Sequence, residues 1–391
     1  MTDPAPHIHW SDDEGQAQSA RWRSLAGHPP PEHVVMVGDE LSADQAMKWL
    51  REGTGLLWVG DYQNARHLLQ ALGRRLDARQ PRSSAGKPVP GAGNKSTASS
   101  LKEAFLAQRQ AQGQRARLLG LLLLPFDADH SVPLRRAPDV RAAGLQAHGR
   151  ASKHYVGSLR ELLGLVGAHE WRKKGVPVAA LHGRIHPHAG VFSPVRGEYV
   201  ELVANAPLPA SAHRDGAFDI GTGTGVLAAV LARRLLKVVA TDSDERALAC
   251  ARDNLTRLKL MPSVTLTQAN LWPEGKAGLV VCNPPWVPAP AHSSLDAAVY
   301  DPDSRMLRAY LGGLAAHLAP GGEGWLILSD LAEHLGLRSR EELLAWIAEG
   351  GLRVAGRIDT QPQHPKVADA SDPLHAARAA EVTSLWRLMA A

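Results

Sequence analysis

The chain has 391 residues, 44% of them hydrophobic, with 44 Lys+Arg against 39 Asp+Glu, which implies two domains and excludes a disordered chain. No apolar run approaches the roughly 18 residues a membrane span needs. The two cysteines, Cys250 and Cys282, each sit among apolar residues, which excludes a disulfide scaffold or a cysteine zinc site.

The first residues, with Asp3, Asp12, Asp13 and Glu14, lack the basic-then-apolar layout of a signal peptide, so a cytoplasmic location is expected. Residues 1–33 are polar and end in Pro29-Pro30-Pro31, the composition of a poorly ordered start. Val34 to Val37 reads as a strand and is followed by a helical pattern through Leu50. Leu56 to Val59 reads as another strand, running into a helix with Leu68, Leu69, Leu72 and Leu76 at helical spacing. Residues 80–100 are low in complexity and read as a flexible insertion. A helix and a strand from Leu118 to Leu124 resume the alternation. Residues 34–145 thus read as a small α/β accessory domain with no convincing cofactor loop, and residues 146–391 as the catalytic domain.

Charge is distributed unevenly along the chain. Residues 1–200 carry 26 Lys+Arg against 18 Asp+Glu, whereas residues 201–391 carry 18 against 21. The extreme is 66–117, with eleven basic residues against Asp77 and Glu103. Such a segment suits an anionic partner, RNA above all; it equally suits a solvated loop whose charge maintains solubility.

Residues 151–175 read as a helix closed by Arg172-Lys173-Lys174, and Val178 to Leu181 as a strand. His182, His186 and His188 lie close together, but no Cys or carboxylate stands at a ligand spacing with them, so surface or turn histidines are expected and no metal. From 217 the alternation is regular. Strands are expected at Ala217–Ile220, Val238–Thr241, Val264–Gln268, Leu279–Cys282, Trp325–Leu328, Arg353–Ile358 and Val382–Leu388. Helices between them imply right-handed βαβ units and a mostly parallel sheet. The last two strands, with no full helix pattern between them, read as an antiparallel edge pair.

Three motifs fall on the carboxyl ends of these strands, where open α/β sheets bind ligands. The first is Asp219-Ile220-Gly221-Thr222-Gly223-Thr224-Gly225, between a strand and a helix. Its glycines suit a tight turn and close approach to a ligand. The dinucleotide fingerprint does not fit, because Val226 stands where a small third residue is needed. The second is Asp242 at the tip of the next strand, a carboxylate suited to ribose hydroxyls and also to capping the following helix. The third is Asn283-Pro284-Pro285-Trp286 after the fourth strand of this sheet. Two prolines fix the backbone and withhold N–H groups, leaving the Pro284 carbonyl able to point into a site. The Asn283 amide oxygen can accept from a substrate amino group, and Trp286 offers an aromatic face.

Residues 189–330 resemble the class I S-adenosylmethionine-dependent methyltransferases of the N-P-P-[FYW] group, the methyltransferase small domain. Two subfamilies compete. Gly190-Val191-Phe192-Ser193 and Asn270 in Gln268-Ala269-Asn270-Leu271-Trp272 are similar to the guanine-N2 methyltransferases of ribosomal RNA, which also carry a degenerate α/β domain in front. Ser193-Pro194-Val195-Arg196-Gly197-Glu198 and the stretch after Trp286, with Leu295-Asp296 and Tyr300-Asp301-Pro302-Asp303, are closer to the release-factor glutamine methyltransferases. The resemblance implies a seven-stranded Rossmann-like sheet and S-adenosyl-L-methionine as cofactor, held by Asp219, Gly221, Gly223, Gly225, Asp242 and Asn270, with Asn270 at the adenine. It implies Asn283, Pro284 and Trp286 as the catalytic group, with in-line methyl transfer to a planar nitrogen and neither a metal nor a covalent cysteine. RNA or a ribosomal particle is the expected partner, a protein substrate the alternative. The connection 359–381, with His364, Lys366, Asp369 and Asp372, reads as a substrate lid.

Overall fold

The computed structural model describes residues 6–78, 94–194, 197–291, 296–362, 372 and 374–391. They fall into two compact units, one holding the described residues of 1–86 and 106–170, the other those of 87–105 and 171–391.

The first unit is built on one six-stranded sheet. Its elements are β1 (His7–Ser11), β2 (Ala17–Trp22), β3 (Val34–Val37), α1 (Ala43–Arg51), β4 (Gly55–Trp58), α2 (Tyr62–Ala78), the part of α3 (Asn94–Gly120) from Leu106 on, β5 (Leu122–Phe126), α4 (Arg141–His148), β6 (Tyr155–Ser158) and α5 (Leu159–Lys174) as far as Glu170. The strand order is β1-β2-β6-β5-β4-β3. β3, β4 and β5 run parallel, and β5–β6 and β1–β2 are antiparallel. Ala65, Leu68, Leu69 and Leu72 of α2 bury one helix stripe against Leu56, Trp58, Leu122 and Leu124, the helical spacing read from the sequence.

Five expectations for this half are corrected. Residues 7–22 form an ordered hairpin rather than a poorly ordered start: Asp12 accepts from the backbone N–H groups of Glu14 and Gln16 at the turn, and Ile8, Ala20 and Trp22 are buried with Leu57, Leu123 and Val156. Most of the expected 80–100 insertion lies outside the described residues, and its last seven residues, Asn94 to Ser100, belong to α3. Leu118 and Leu119 end α3 instead of starting a strand, because both fill the core beneath the helix. Tyr155–Ser158 is a strand where a helix was expected; all four residues are buried between β2 and β5, so neither alternation nor helical period marks them. With β6 in the sheet and Leu159 and Leu162 of α5 packed on it, the division falls after Glu170 and not at 145.

The second unit begins with a two-stranded ribbon, β7 (Val176–Val178) and β8 (Gly183–Ile185). The expected Val178–Leu181 strand is instead the end of β7 and a 3-10 turn over Ala179–Leu181. Next come α6 (Glu198–Asn205), α7 (Ser211–Asp215), β9 (Ala217–Ile220), α8 (Val226–Arg233), β10 (Val238–Asp242), α9 (Glu245–Arg257), β11 (Val264–Gln268) and β12 (Ala277–Cys282). They are followed by α10 (Arg305–His317), β13 (Leu318–Ser329), α11 (Leu331–His334), α12 (Arg340–Glu349), β14 (Leu352–Thr360), α13 (His375–Ala380) and β15 (Thr383–Ala390). Ser339 and Glu342 close a reciprocal capping box at the start of α12, satisfying two of its orphan donors.

The sheet order is β11-β10-β9-β12-β13-β15-β14. β11 through β13 are parallel, while β15 lies antiparallel between β13 and β14. The expected terminal pair is therefore present, with β14 alone at the edge. α6, α8 and α9 cover one face through Val203, Leu227, Leu231 and Leu255. α10 and α12 cover the other through Tyr310, Leu311, Leu314 and Leu343. Strand order reverses between β9 and β12, which opens a crevice beyond their carboxyl ends.

Candidate active site

β9 alternates. Ala217 packs on the α8 side and Phe218 and Ile220 on the α10 side, so Asp219 is turned toward α8 and is 1% exposed. Helix α8 has Gly225 as its N-cap, with no side chain to satisfy the first N–H groups. Asp219 supplies that acceptor: Ala228 N–H donates to its Oδ2 at 2.9 Å and the Thr222 hydroxyl to the same oxygen at 2.6 Å. Burial pushes the Asp219 carboxyl up to about 6 despite these two bonds. Tyr199 of α6 is also buried, and its phenol is pushed well up by desolvation and by the nearby Asp219 and Glu198.

Gly221, Gly223 and Gly225 have φ of 73°, 53° and 79°, a left-handed run that side chains resist. The turn is tied at three points. Thr222 N–H donates to the Thr241 carbonyl at 2.8 Å. Gly223 N–H donates to Asp242 Oδ2 at 3.0 Å. Asn254 of α9 donates its amide to the Thr224 carbonyl at 3.0 Å, while its oxygen accepts from His186 N–H at 2.7 Å. Asn254 escaped the sequence reading. The available signal was one amide on the buried stripe Ala247, Cys250, Ala251, Asn254 and Leu255 of α9.

Asp242 also accepts from Asp244 N–H at 3.0 Å. Desolvation raises its carboxyl above the usual range, with Asp244 adding to the rise. Gln268 is its register partner on β11, so Asn270 follows beside it, exposed. The next residue, Leu271, takes a φ of 72° and accepts from the Thr241 hydroxyl at 2.6 Å. Trp272 then turns away and stacks on His317 and Tyr310.

β12 pairs with β9 so that Cys282 faces Ile220. Asn283 therefore leaves the sheet next to Gly221. Pro284 is buried and Trp286 half-buried; the Trp286 indole N–H donates to Asn283 Oδ1 at 2.8 Å. The chain after Trp286 is bound back onto itself: Asp301 N–H donates to the Val287 carbonyl at 2.9 Å. The Asp301 carboxylate accepts from Met306 and Leu307 N–H at 2.9 and 3.2 Å, capping α10 beside Gly221. In sequence Asp301 stands out only as part of the stretch that is closer to the release-factor glutamine methyltransferases.

The structure thus brings Asp219, Gly221, Gly223, Gly225, Asp242, Asn270, Asn283, Pro284 and Trp286 to the carboxyl ends of four neighbouring strands. Cys282 is fully buried, and burial raises its thiol well above the ordinary value, which makes it packing. His186 binds the Arg172 carbonyl at 2.6 Å and His188 the Asp253 carboxylate at 3.2 Å. No group of three His, Cys, Asp or Glu able to hold a metal occurs among the described residues. Val195, Arg196, Leu295, His364, Lys366 and Asp369 lie outside the described residues, so the lid expectation for 359–381 rests on sequence.

Residues 182–337 match the methyltransferase small domain family. The chain is 33% identical over 184 residues to a release factor glutamine methyltransferase of Xylella fastidiosa, covering 41% of this chain and 65% of that protein. It is 32% identical over 154 residues to the release factor glutamine methyltransferase of Prochlorococcus marinus, covering 35% and 50%. It is also 32% identical over 112 residues to ribosomal RNA small subunit methyltransferase C of Mannheimia succiniciproducens, covering 28% and 31%. The chain spans less than two thirds of the length of each of these relatives. The family match thus covers β8 through α11, the part of the chain that carries the glycine loop and Asn283-Pro284-Pro285-Trp286.

Proposed function

We propose that this chain is an S-adenosylmethionine-dependent N-methyltransferase acting on an exocyclic amino group in RNA, with guanine N2 of ribosomal RNA as the favoured acceptor. The observation that carries the reading is the side-by-side exit of β9 and β12, pairing Ile220 with Cys282, which sets the glycine loop beside Asn283-Pro284-Pro285-Trp286.

S-adenosylmethionine, when bound, supplies an activated methyl group. Gly221, Gly223 and Gly225 would let its backbone-facing end approach, with Asp242 at the ribose and Asn270 at the adenine. The Asn283 oxygen and the Pro284 carbonyl would accept from the two hydrogens of the amino group. Those contacts orient its lone pair and stabilise the positive charge developing on nitrogen. Trp286 would lie against the plane of the base.

RNA is favoured over protein by the α/β sheet of the first unit, the kind of leading domain implied by the resemblance to guanine-N2 methyltransferases, and by the basic run 66–117. The second reading, methylation of a protein glutamine amide, draws support from the release factor glutamine methyltransferases among the relatives. A cytoplasmic location belongs to the same proposal; no helix among the described residues is long and apolar enough to cross a membrane.

The test is labelled S-adenosylmethionine with undermethylated ribosomal particles, the product split into RNA and protein. Label in RNA, weakening steeply with salt and reduced at least a hundredfold by Asn283→Ala, is the expected result. Label in protein alone would overturn the RNA reading in favour of the glutamine one.

A further inference from the structure

The Asn283 amide has two ends of nearly equal size and opposite polarity. On the N-methyltransferase reading, only its oxygen can meet the N–H groups of an acceptor; the amide nitrogen would set donor against donor. Nothing in Asn-Pro-Pro alone decides which end faces the acceptor. The structure supplies a group that does. The indole of Trp286 is a donor with no acceptor capacity, and it lies 2.8 Å from Asn283 Oδ1. Turning the amide over would replace this bond with a clash of two donors and leave a half-buried indole N–H unpaired.

The ring is in no position to follow the amide. Trp286 packs at once against three apolar clusters of the second unit: the α8 side of the sheet, the α10 side, and the group formed by Phe105, Val287, Ala289, Leu335, Leu374 and Ala377. An amide oxygen has two lone pairs. The indole takes one and leaves the other for the acceptor.

We infer that Trp286 is a positioning residue for Asn283, its indole N–H locking the amide so that Oδ1 faces the acceptor amino group. This rests on the proposed N-methyl transfer. It sets tryptophan apart from phenylalanine at this position, since a phenyl ring supplies the flat face without the donor.

Aspartate provides the test, because it presents an oxygen at both ends and makes the lock redundant. Trp286→Phe is measured in the native protein and in an Asn283→Asp background. In the native background kcat should fall roughly fivefold, the effect of one ordinary hydrogen bond, with KM changing less than twofold. In the Asn283→Asp background the further loss should shrink below about twofold. Equal losses in both backgrounds would overturn the proposal, leaving the ring to act by packing or stacking.

The bond itself is read without substrate, from the indole N–H resonances of the ten tryptophans. The Trp286 resonance is the one lost in Trp286→Phe. It should move downfield in Asn283→Asp and upfield in Asn283→Ala, and a resonance unmoved in both would also overturn the lock. Absence of methyl transfer by the unaltered protein to ribosomal or release-factor acceptors would instead defeat the N-methyltransferase reading, with the resonance still deciding the bond.

Discussion

Ile220 and Cys282 are register partners across β9 and β12, so two segments 62 residues apart in sequence leave the sheet about 5 Å from each other. One turns into the glycine loop and the other into Asn283-Pro284. The crevice between them lies where the strand order reverses, with Asp242 and Asn270 at the ends of the next two strands beyond β9. Three predictions follow from how this rim is held.

The glycines of the loop should differ in their tolerance of a side chain. A Cβ on Gly225 would meet the Cα and Cβ of Ala251 at 3.1 Å, whereas one on Gly223 would meet nothing within 4 Å. Both positions are left-handed, which by itself costs an alanine about 1 kcal/mol. Gly223→Ala should therefore lose about 1 kcal/mol, and Gly225→Ala about 2 to 3 kcal/mol because α8 must also shift from α9. Denaturant unfolding of the two variants is the measurement, and equal losses would show that α9 yields freely.

Asp219 should make stability depend on pH in the direction opposite to an ion-paired carboxylate. Its carboxyl is raised from 3.8 to about 6 by burial, so the folded protein holds the proton more tightly than the unfolded chain. The stabilisation is complete below about pH 4 and is lost as pH rises through about 6. The loss is on the order of 3 kcal/mol. Asp219→Asn carries a hydrogen-bond cost that does not vary with pH. The stability of the unaltered protein relative to this variant should thus decline between pH 4 and 6 and level off above that. A difference constant across pH 4 to 7 would contradict the assignment.

Asp242 joins the loop to β10 through Gly223 N–H and is the residue proposed for the cofactor ribose. Asp242→Asn keeps one oxygen but exposes an amide NH2 to a backbone donor. Affinity for S-adenosylmethionine, read by calorimetry, should fall roughly ten- to a hundredfold, the range for a charged hydrogen bond. A fall of less than twofold would move the ribose contact elsewhere.

The second unit was the more legible half because its elements carry local periods. Short strands of four or five residues, followed by the apolar helix α8 and the amphipathic helix α9, mark β9 to β11 directly. The hairpin at 7–22 was illegible because its two short strands are mostly polar and gain their stability from Leu57, Leu123 and Val156, residues far away in sequence. Tyr155–Ser158 was illegible because a strand buried on both faces has no alternation to read. Asn254 shows the same limit within the site: its local context is an ordinary core stripe, and its role depends on Thr224 and His186, 30 and 68 residues away.

By itself the sequence determined the turn chemistry of the glycine loop, the donor-free backbone of Pro284-Pro285, the acidic tip at Asp242 and the order of strands and helices from β9 to β12. These are properties of short segments, set by dihedral sterics and by apolar spacing. Only the tertiary structure decided that Asp219 serves α8 in place of a capping side chain, that Asp242 ties the loop, that Asn254 clasps it, and that the Trp286 indole holds Asn283. Each of these is a hydrogen bond whose partner is chosen by strand register and helix packing, and a side chain's neighbours across a sheet are set by long-range pairing that no local window contains.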